Sequence, residues 1–225
     1  MCRRINVGGT ISVLEAAKDC NLRVYSPSSI AVFGPDSPRH ATQGASLNPS
    51  TVYGETKVTG EALAREYQAR FNVDTRGIRY PGLISYKAPA GGGTTDYAVE
   101  IFHAALNEGH YQCFVRSDTR LPMLYIDDAI DATLSLMDSR EGDLGESRAG
   151  YNIPCLSFSA EELVDAISER VEGFTCDYAP DVRQEYADSW PDSIDGSLAE
   201  EEWGWTPKHD LDSLVDEMLR GISSL

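Results

Sequence analysis

An α/β fold with a mostly parallel sheet is predicted by three observations. Short β-like runs alternate with segments of helical apolar periodicity, polar loops rich in Gly, Pro and Ser separate them, and no internal repeat interrupts the alternation. The 225 residues, 41% hydrophobic and 24% charged, suffice for one full core or a core plus a small lobe.

The elements follow in order. Val7, Ile11, Leu14 and Ala17 recur at helical spacing, with Asn21 where a C-cap belongs. Residues 22–25 are β-like and run into Ser26-Pro27-Ser28-Ser29. A polar loop over 34–50 leads to a helix over 51–71, and 73–80 reads as a strand stopped by Pro81-Gly82. The run Gly91-Gly92-Gly93 precedes a helix with Asp96 as N-cap. Strands are predicted at 111–115, 151–153 and 174–178. Helices are predicted at 127–137, capped by Asp127 or Asp128, and at 160–171, 198–203 and 211–222.

Composition excludes several classes. A net charge of −17 disfavours nucleic acid and anionic membranes as partners, and no apolar run is long enough to span a bilayer. The five cysteines are odd in number and lack Cys-x-x-Cys spacing, and the four histidines are scattered. The expectation is free thiols in a reducing, cytoplasmic compartment and no metal site. Lysine occurs only at positions 18, 57, 87 and 208. The acidic, lysine-poor surface fits a high-salt cytoplasm and an acidic mesophilic enzyme equally.

Tyr53 and Lys57 lie four residues apart near a helix start, so both side chains share one face. A phenol is a poor base at its ordinary pKa near 10, and a neighbouring ammonium favours the phenolate. The pair alone also fits an ordinary surface pair. Ser28-Ser29 at a predicted strand end adds a hydroxyl that can bond the reacting oxygen while the tyrosine moves a proton. Taken by itself, 26–29 is equally a turn of small polar residues.

Several longer strings narrow the reading. Asn6-Val7-Gly8-Gly9-Thr10 with Val13-Leu14-Glu15-Ala16-Ala17, and Ser28-Ser29-Ile30-Ala31-Val32-Phe33-Gly34, resemble segments of the extended short-chain dehydrogenases of the NAD-dependent epimerase/dehydratase family. Pro49-Ser50-Thr51-Val52-Tyr53-Gly54, Arg79-Tyr80-Pro81-Gly82-Leu83-Ile84-Ser85 and Gly91-Gly92-Gly93-Thr94-Thr95-Asp96-Tyr97-Ala98-Val99-Glu100 resemble the L-threonine 3-dehydrogenases within that group. Arg120-Leu121-Pro122-Met123, Asp188-Ser189-Trp190-Pro191 and Trp203-Gly204-Trp205-Thr206-Pro207 carry the likeness to the end of the chain.

The resemblance implies a Rossmann-like doubly wound parallel sheet with a small C-terminal substrate lobe, built mainly from about 86–110 and 150–225 of a single domain. It implies NAD as cofactor, L-threonine as substrate, 2-amino-3-oxobutanoate as product and a homodimer pairing through the Tyr53 helix. Tyr53 would act as base, Ser29 would steady the oxygen, and Lys57 would lower the tyrosine pKa and hold the nicotinamide ribose. Tyr80, Pro81, Gly82 and Leu83 would meet the nicotinamide end, largely through backbone. Gly93 and Thr94 would contact the amino acid. Trp190 either closes the site or is a buried structural residue. Asp127-Asp128 resembles a mainly helix-capping segment, and Trp203 and Trp205 read as packing residues.

One part of the family pattern is not found. The sequence shows no strand, Gly-x-Gly-x-x-Gly turn and helix to receive a pyrophosphate, and 91–93 lacks that spacing. The expectation is an N-terminally truncated chain with an unsatisfied sheet edge and bare apolar faces, inactive or poorly folded alone. Two alternatives stand beside threonine oxidation: a sugar-nucleotide epimerase or dehydratase using the same Ser, Tyr and Lys, and a non-catalytic fragment acting through another chain.

Overall fold

The computed structural model describes residues 1–225. Helix α1 (Cys2–Cys20) buries Leu14 and Ala17 and ends at Asn21, which takes the left-handed conformation at φ 52°. Asn enters that region more readily than other residues bearing a side chain, so its placement stops the helix. Strands β1 (Val24–Tyr25) and β2 (Ser28–Ser29) follow, then a 3₁₀ turn at Ile30–Val32. The long loop after it contains a short strand, β3 (His40–Ala41). Helix α2 (Val52–Phe71) starts at Thr51, whose hydroxyl accepts from the Gly54 N–H at 3.0 Å, and ends at a second left-handed asparagine, Asn72.

The strand expected over 73–80 is divided into β4 (Thr75–Arg76) and β5 (Arg79–Tyr80). Between them Gly77 N–H donates to the Arg148 carbonyl at 2.7 Å, and Ile78 bridges Tyr151 in parallel. Pro81-Gly82 does not end the sheet, because β6 (Gly82–Ile84) begins at once with a different partner. Helix α3 (Tyr97–Asn107) starts after Asp96, but that carboxylate does not cap the helix. It accepts from the N–H groups of Gly92 and Gly93 at 2.7 and 2.8 Å and folds the glycine run back over the helix start.

Then come β7 (His110–Cys113), β8 (Arg120–Tyr125), α4 (Ile126–Asp138), β9 (Leu156–Ser159), α5 (Ala160–Ser168) and β10 (Thr175–Tyr178). The chain closes with α6 (Arg183–Asp188), β11 (Ser193–Ile194), α7 (Ser197–Trp203) and α8 (Leu211–Ser223). Neither Asp127 nor Asp128 caps α4. Asp128 is buried and its carboxylate accepts from the backbone N–H of Lys208 and His209 and from the His209 ring, which ties the C-terminal segment to α4.

Parallel pairing dominates. β1 pairs with β4, β2 with β5, β7 with β10 and β3 with β11, all in parallel. The remaining sheet has the order β6-β8-β9, with only β8–β9 antiparallel. β1–β2 and β4–β5 form one ladder continued by Ser26 N–H to the Arg76 carbonyl (2.7 Å) and Ser28 N–H to the Ile78 carbonyl (2.8 Å). Val24–Ser29 therefore has a strand neighbour on one side only, as expected of a sheet edge.

Four buried clusters lie around these sheets. The largest joins α3, β7, β8, α5 and α8 through residues such as Phe102, Leu121, Leu163 and Leu214. A second packs α4 against Tyr151, Ile153, Ala199 and Trp205. Trp203 stacks on Trp205 at 6.1 Å, in keeping with a packing role for both. The two smaller clusters hold α1 to α2 through Leu14 and Tyr67, and the 30–33 turn to β3 and β11. No helix is long and apolar enough to cross a membrane. All five cysteines are free thiols.

Candidate active site

The site begins at the β2 end. Ser29 finishes the strand and caps the following 3₁₀ turn, its hydroxyl oxygen accepting from the Ala31 N–H at 3.2 Å. Its own proton remains free to be donated outward. Tyr53 stands in the first turn of α2, half exposed, and Lys57 follows one turn later. Gly54 lets the helix approach: a Cβ there would lie 2.1 Å from the Ala31 carbonyl oxygen and 2.5 Å from Pro49. Any larger residue would push the Tyr53 turn away from the Ser29 turn.

Burial raises the Tyr53 pKa above its ordinary value, and a hydrogen bond with Ser29 opposes that rise. Burial lowers the Lys57 pKa. The Lys57 ammonium donates to the Pro27 carbonyl at 2.7 Å and sits 5.5 Å from the centre of the Tyr53 ring. The Ser29 hydroxyl is the nearest neighbour that opposes the rise.

Beside Lys57 lies a cleft of about 280 Å³ between α1 and the strand ends, lined among others by Asn6, Gly9, Thr10, Pro27, Ser28 and Lys57. It runs along the unpaired side of Val24–Ser29. Its volume falls near the lower end of the range for small-molecule pockets, about 300–1,000 Å³.

The other expected contacts reach the same end of the sheet by different routes. Tyr80 is the register partner of Ser29, but its hydroxyl accepts from Tyr25 at 2.6 Å and is also bonded to Thr133. Pro81 and Gly82 are buried. Gly82 is pressed between Met123 and Thr95, where a Cβ would lie 2.4 Å from the Met123 sulfur. Only Leu83 of this segment presents an exposed side chain. Thr94 is buried and Gly93 is exposed, and the neighbouring Thr95 carries their loop onto Gly82. Ser50 donates to Ser189 at 3.3 Å, which draws the segment bearing Trp190 toward the start of α2. Trp190 itself is partly buried against two of the apolar clusters.

A polar group behind the site was not foreseen from the sequence. Glu61, one turn past Lys57, is buried with Arg79 and Ser28. The spacing Tyr53, Lys57, Glu61 at four-residue steps was its one sequence signal. No group of His, Cys, Asp or Glu is arranged to hold a metal ion.

Comparison with known proteins bears on the whole chain. Residues 2–153 match the NAD dependent epimerase/dehydratase family. The chain is 48% identical over 220 residues to an uncharacterized epimerase/dehydratase of Staphylococcus aureus, covering 97% of this chain and 68% of the relative. Among solved structures it is similar to the L-threonine dehydrogenase of Phytophthora infestans, with 46% identity, a TM-score of 0.96, and coverage of 99% of this chain and 72% of that one. The GalE-like L-threonine dehydrogenase of Cupriavidus necator gives 47% identity, a TM-score of 0.96 and coverage of 98% and 80%. The interleaved helices and parallel strands described above are thus a Rossmann-like arrangement, and the chain belongs to the NAD-dependent epimerase/dehydratase family.

Proposed function

We propose that this site serves the NAD⁺-dependent oxidation of the C3 hydroxyl of L-threonine to 2-amino-3-oxobutanoate. The observation that carries the reading is the placing of Tyr53 in the first turn of α2, packed close to the Ser29 turn at Gly54, with Lys57 one helical turn further on and its ammonium 5.5 Å from the Tyr53 ring. The likeness to L-threonine dehydrogenases at 46–47% identity supports the choice of substrate.

The residues at the nicotinamide end suit that cofactor in kind. The Lys57 ammonium borders an open cleft and can donate to ribose hydroxyls, and Leu83 offers an exposed apolar side chain beside the strand ends. Bound NAD⁺ supplies the acceptor for the hydride that leaves C3. Tyr53, as phenolate, takes the hydroxyl proton, and Ser29 donates a hydrogen bond to the same oxygen as it becomes a carbonyl. Lys57 favours the phenolate by its charge once the site is closed to water. Gly93 and Thr94 would meet the amino acid's polar groups, with Trp190 covering it. The lobe formed by about 86–110 and 150–225 would carry these contacts.

A second reading, sugar-nucleotide epimerisation or dehydration, is favoured by the description of the Staphylococcus aureus relatives as epimerase/dehydratases. A substrate screen separates the two. We expect any NADH absorbance at 340 nm to arise with L-threonine and none with UDP-sugars, and no turnover with either substrate would accord with a need for a separate dinucleotide-binding segment. Interconversion of a UDP-sugar without NADH accumulation would favour the second reading.

We also propose a homodimer through α1 and α2. Ile11 of α1 and Val52 of α2 are exposed apolar residues on these paired helices, and covering them would remove apolar surface from water. Light scattering should give twice the chain mass, and a monomer at micromolar concentration would remove this part of the proposal.

A further inference from the structure

Behind the reacting residues lies an ion pair in an unusual place. Glu61 is 2% exposed and Arg79 4% exposed. The guanidinium grips the carboxylate at two points, Nε to Oε1 at 3.0 Å and Nη2 to Oε2 at 2.9 Å. Arg79 Nη1 also donates to the Gln43 carbonyl and to Asn152 Oδ1, each at 3.2 Å. Glu61 Oε1 accepts from the Ser28 hydroxyl at 2.6 Å. Arg65 approaches Oε2 from the exposed side at 3.5 Å.

Taking two charges out of water is costly, and an apolar pair of similar volume stabilises a fold as well or better. Burial of this pair therefore points to a requirement other than stability. The placement supplies one. Ser28 and Arg79 face each other in the β2–β5 register, and the next pair along is Ser29 with Tyr80. Glu61 stands on α2 two turns beyond Tyr53 and one beyond Lys57. A single carboxylate thus joins the helix carrying Tyr53 and Lys57 to both strands at the residue just before Ser29 and just before Tyr80.

We propose that Glu61 and Arg79 are positioning residues that, through Ser28, fix the Ser29 hydroxyl against the Tyr53 phenol. Neither touches the reacting atoms. The proposal rests on the role given above to Ser29 and Tyr53, and it extends that role to a buried pair acting through them. Small displacements matter in such a site, since about 1 Å of misplacement can cost on the order of 100-fold in rate.

The test uses a readout that needs neither substrate nor cofactor. Tyrosine labelled with ¹³C at Cζ is titrated by NMR, with the Tyr53 signal identified by its loss in Tyr53→Phe. The groups acting on that phenol are Ser29 from β2, Cys2 from α1 and the cation of Lys57 over its ring. Displacing the Ser29 hydroxyl, held by way of Ser28 and Glu61 next to the Tyr53 turn, leaves the effect of burial less opposed, so Glu61→Gln and Ser28→Ala should both raise the Tyr53 midpoint. Arg65→Ala, which cuts only the outer contact, should leave it unchanged. In the threonine assay the first two should lower kcat on the order of 10-fold with KM within about twofold, as loss of alignment rather than of binding.

An unchanged Tyr53 midpoint in Ser28→Ala, with native near-UV circular dichroism, would overturn the proposal. If Glu61→Gln fails to fold, Ser28→Ala decides alone. If no variant oxidises threonine, the proposed function fails while the titration still judges the positioning role.

Discussion

Tyr53→Phe is expected to reduce threonine-dependent NADH formation by about 10³-fold, within the range for loss of a general base, while the melting temperature stays close to that of the parent. The side chain is half exposed, so deletion of its hydroxyl opens no core cavity. The same account fixes the direction of the pH profile. The working form is the phenolate, and burial raises the Tyr53 pKa, so kcat/KM should climb as pH rises through the alkaline range. At the far end the Lys57 ammonium, whose pKa burial lowers, loses the charge that supports the phenolate, and the climb should fail. A rate that falls with increasing pH from neutrality would place the essential proton on another group.

The largest structural effect is expected at Arg76, which is completely buried on β4. Its Nη1 donates to the carbonyls of Leu136 (2.6 Å), Met137 (3.2 Å) and Ser139 (2.8 Å) at the C-terminal end of α4, and its other nitrogens hold Asp74 at 2.9 Å. A helix end leaves its last carbonyls without intrahelical partners, and here one guanidinium serves three of them. Arg76→Ala takes the guanidinium from the Leu136 and Ser139 carbonyls and leaves Asp74 and the Met137 carbonyl to Arg23. We expect a loss of about 3 kcal/mol or more, as for breaking a buried pair from one side. In a chain of this size that corresponds to a melting temperature lower by roughly 6–12 °C. Arg76→Lys should recover only part of it, because an ammonium cannot fork between carbonyls and carboxylate.

The elements legible in the sequence are those whose signals are local. Asn21 marks a helix end because a single residue in the left-handed region is enough to stop a helix. Tyr53 and Lys57 could be paired from spacing alone, since four residues is one turn. β8 was not legible, for Pro122 lies inside it and proline normally argues against a ladder position. The strand accommodates it where β8 meets β9 in the antiparallel half, opposite Ser157, and turns to β6 for its parallel half. β3 and β11 are two residues each, with no local pattern, and exist because 39–41 and 192–195 meet across the fold.

The site follows the same rule. Ser29 and Tyr53 lie in strings long enough to resemble known dehydrogenases and Lys57 follows Tyr53 by one turn, whereas Glu61 and Arg79 are joined only when α2 packs on the β2–β5 pair. Asp96 and Asp128 were legible as acidic residues at helix starts. Their partners, two loop glycines and the 208–209 backbone, come from tertiary folding and from a backward turn of the side chain. The burial that raises the Tyr53 pKa was likewise hidden, since it comes from tertiary packing and not from the Tyr53–Lys57 spacing.

The central claim is that the hydrogen on C3 of L-threonine leaves as hydride while Tyr53 receives the hydroxyl proton. L-threonine carrying deuterium at C3, incubated with NAD⁺ and the full chain, tests it directly by mass spectrometry of the reduced cofactor. The account predicts one deuterium per molecule of NADH formed, together with loss of the signal in Tyr53→Phe. Unlabelled NADH, or labelled NADH formed by Tyr53→Phe at the parent rate, would contradict it.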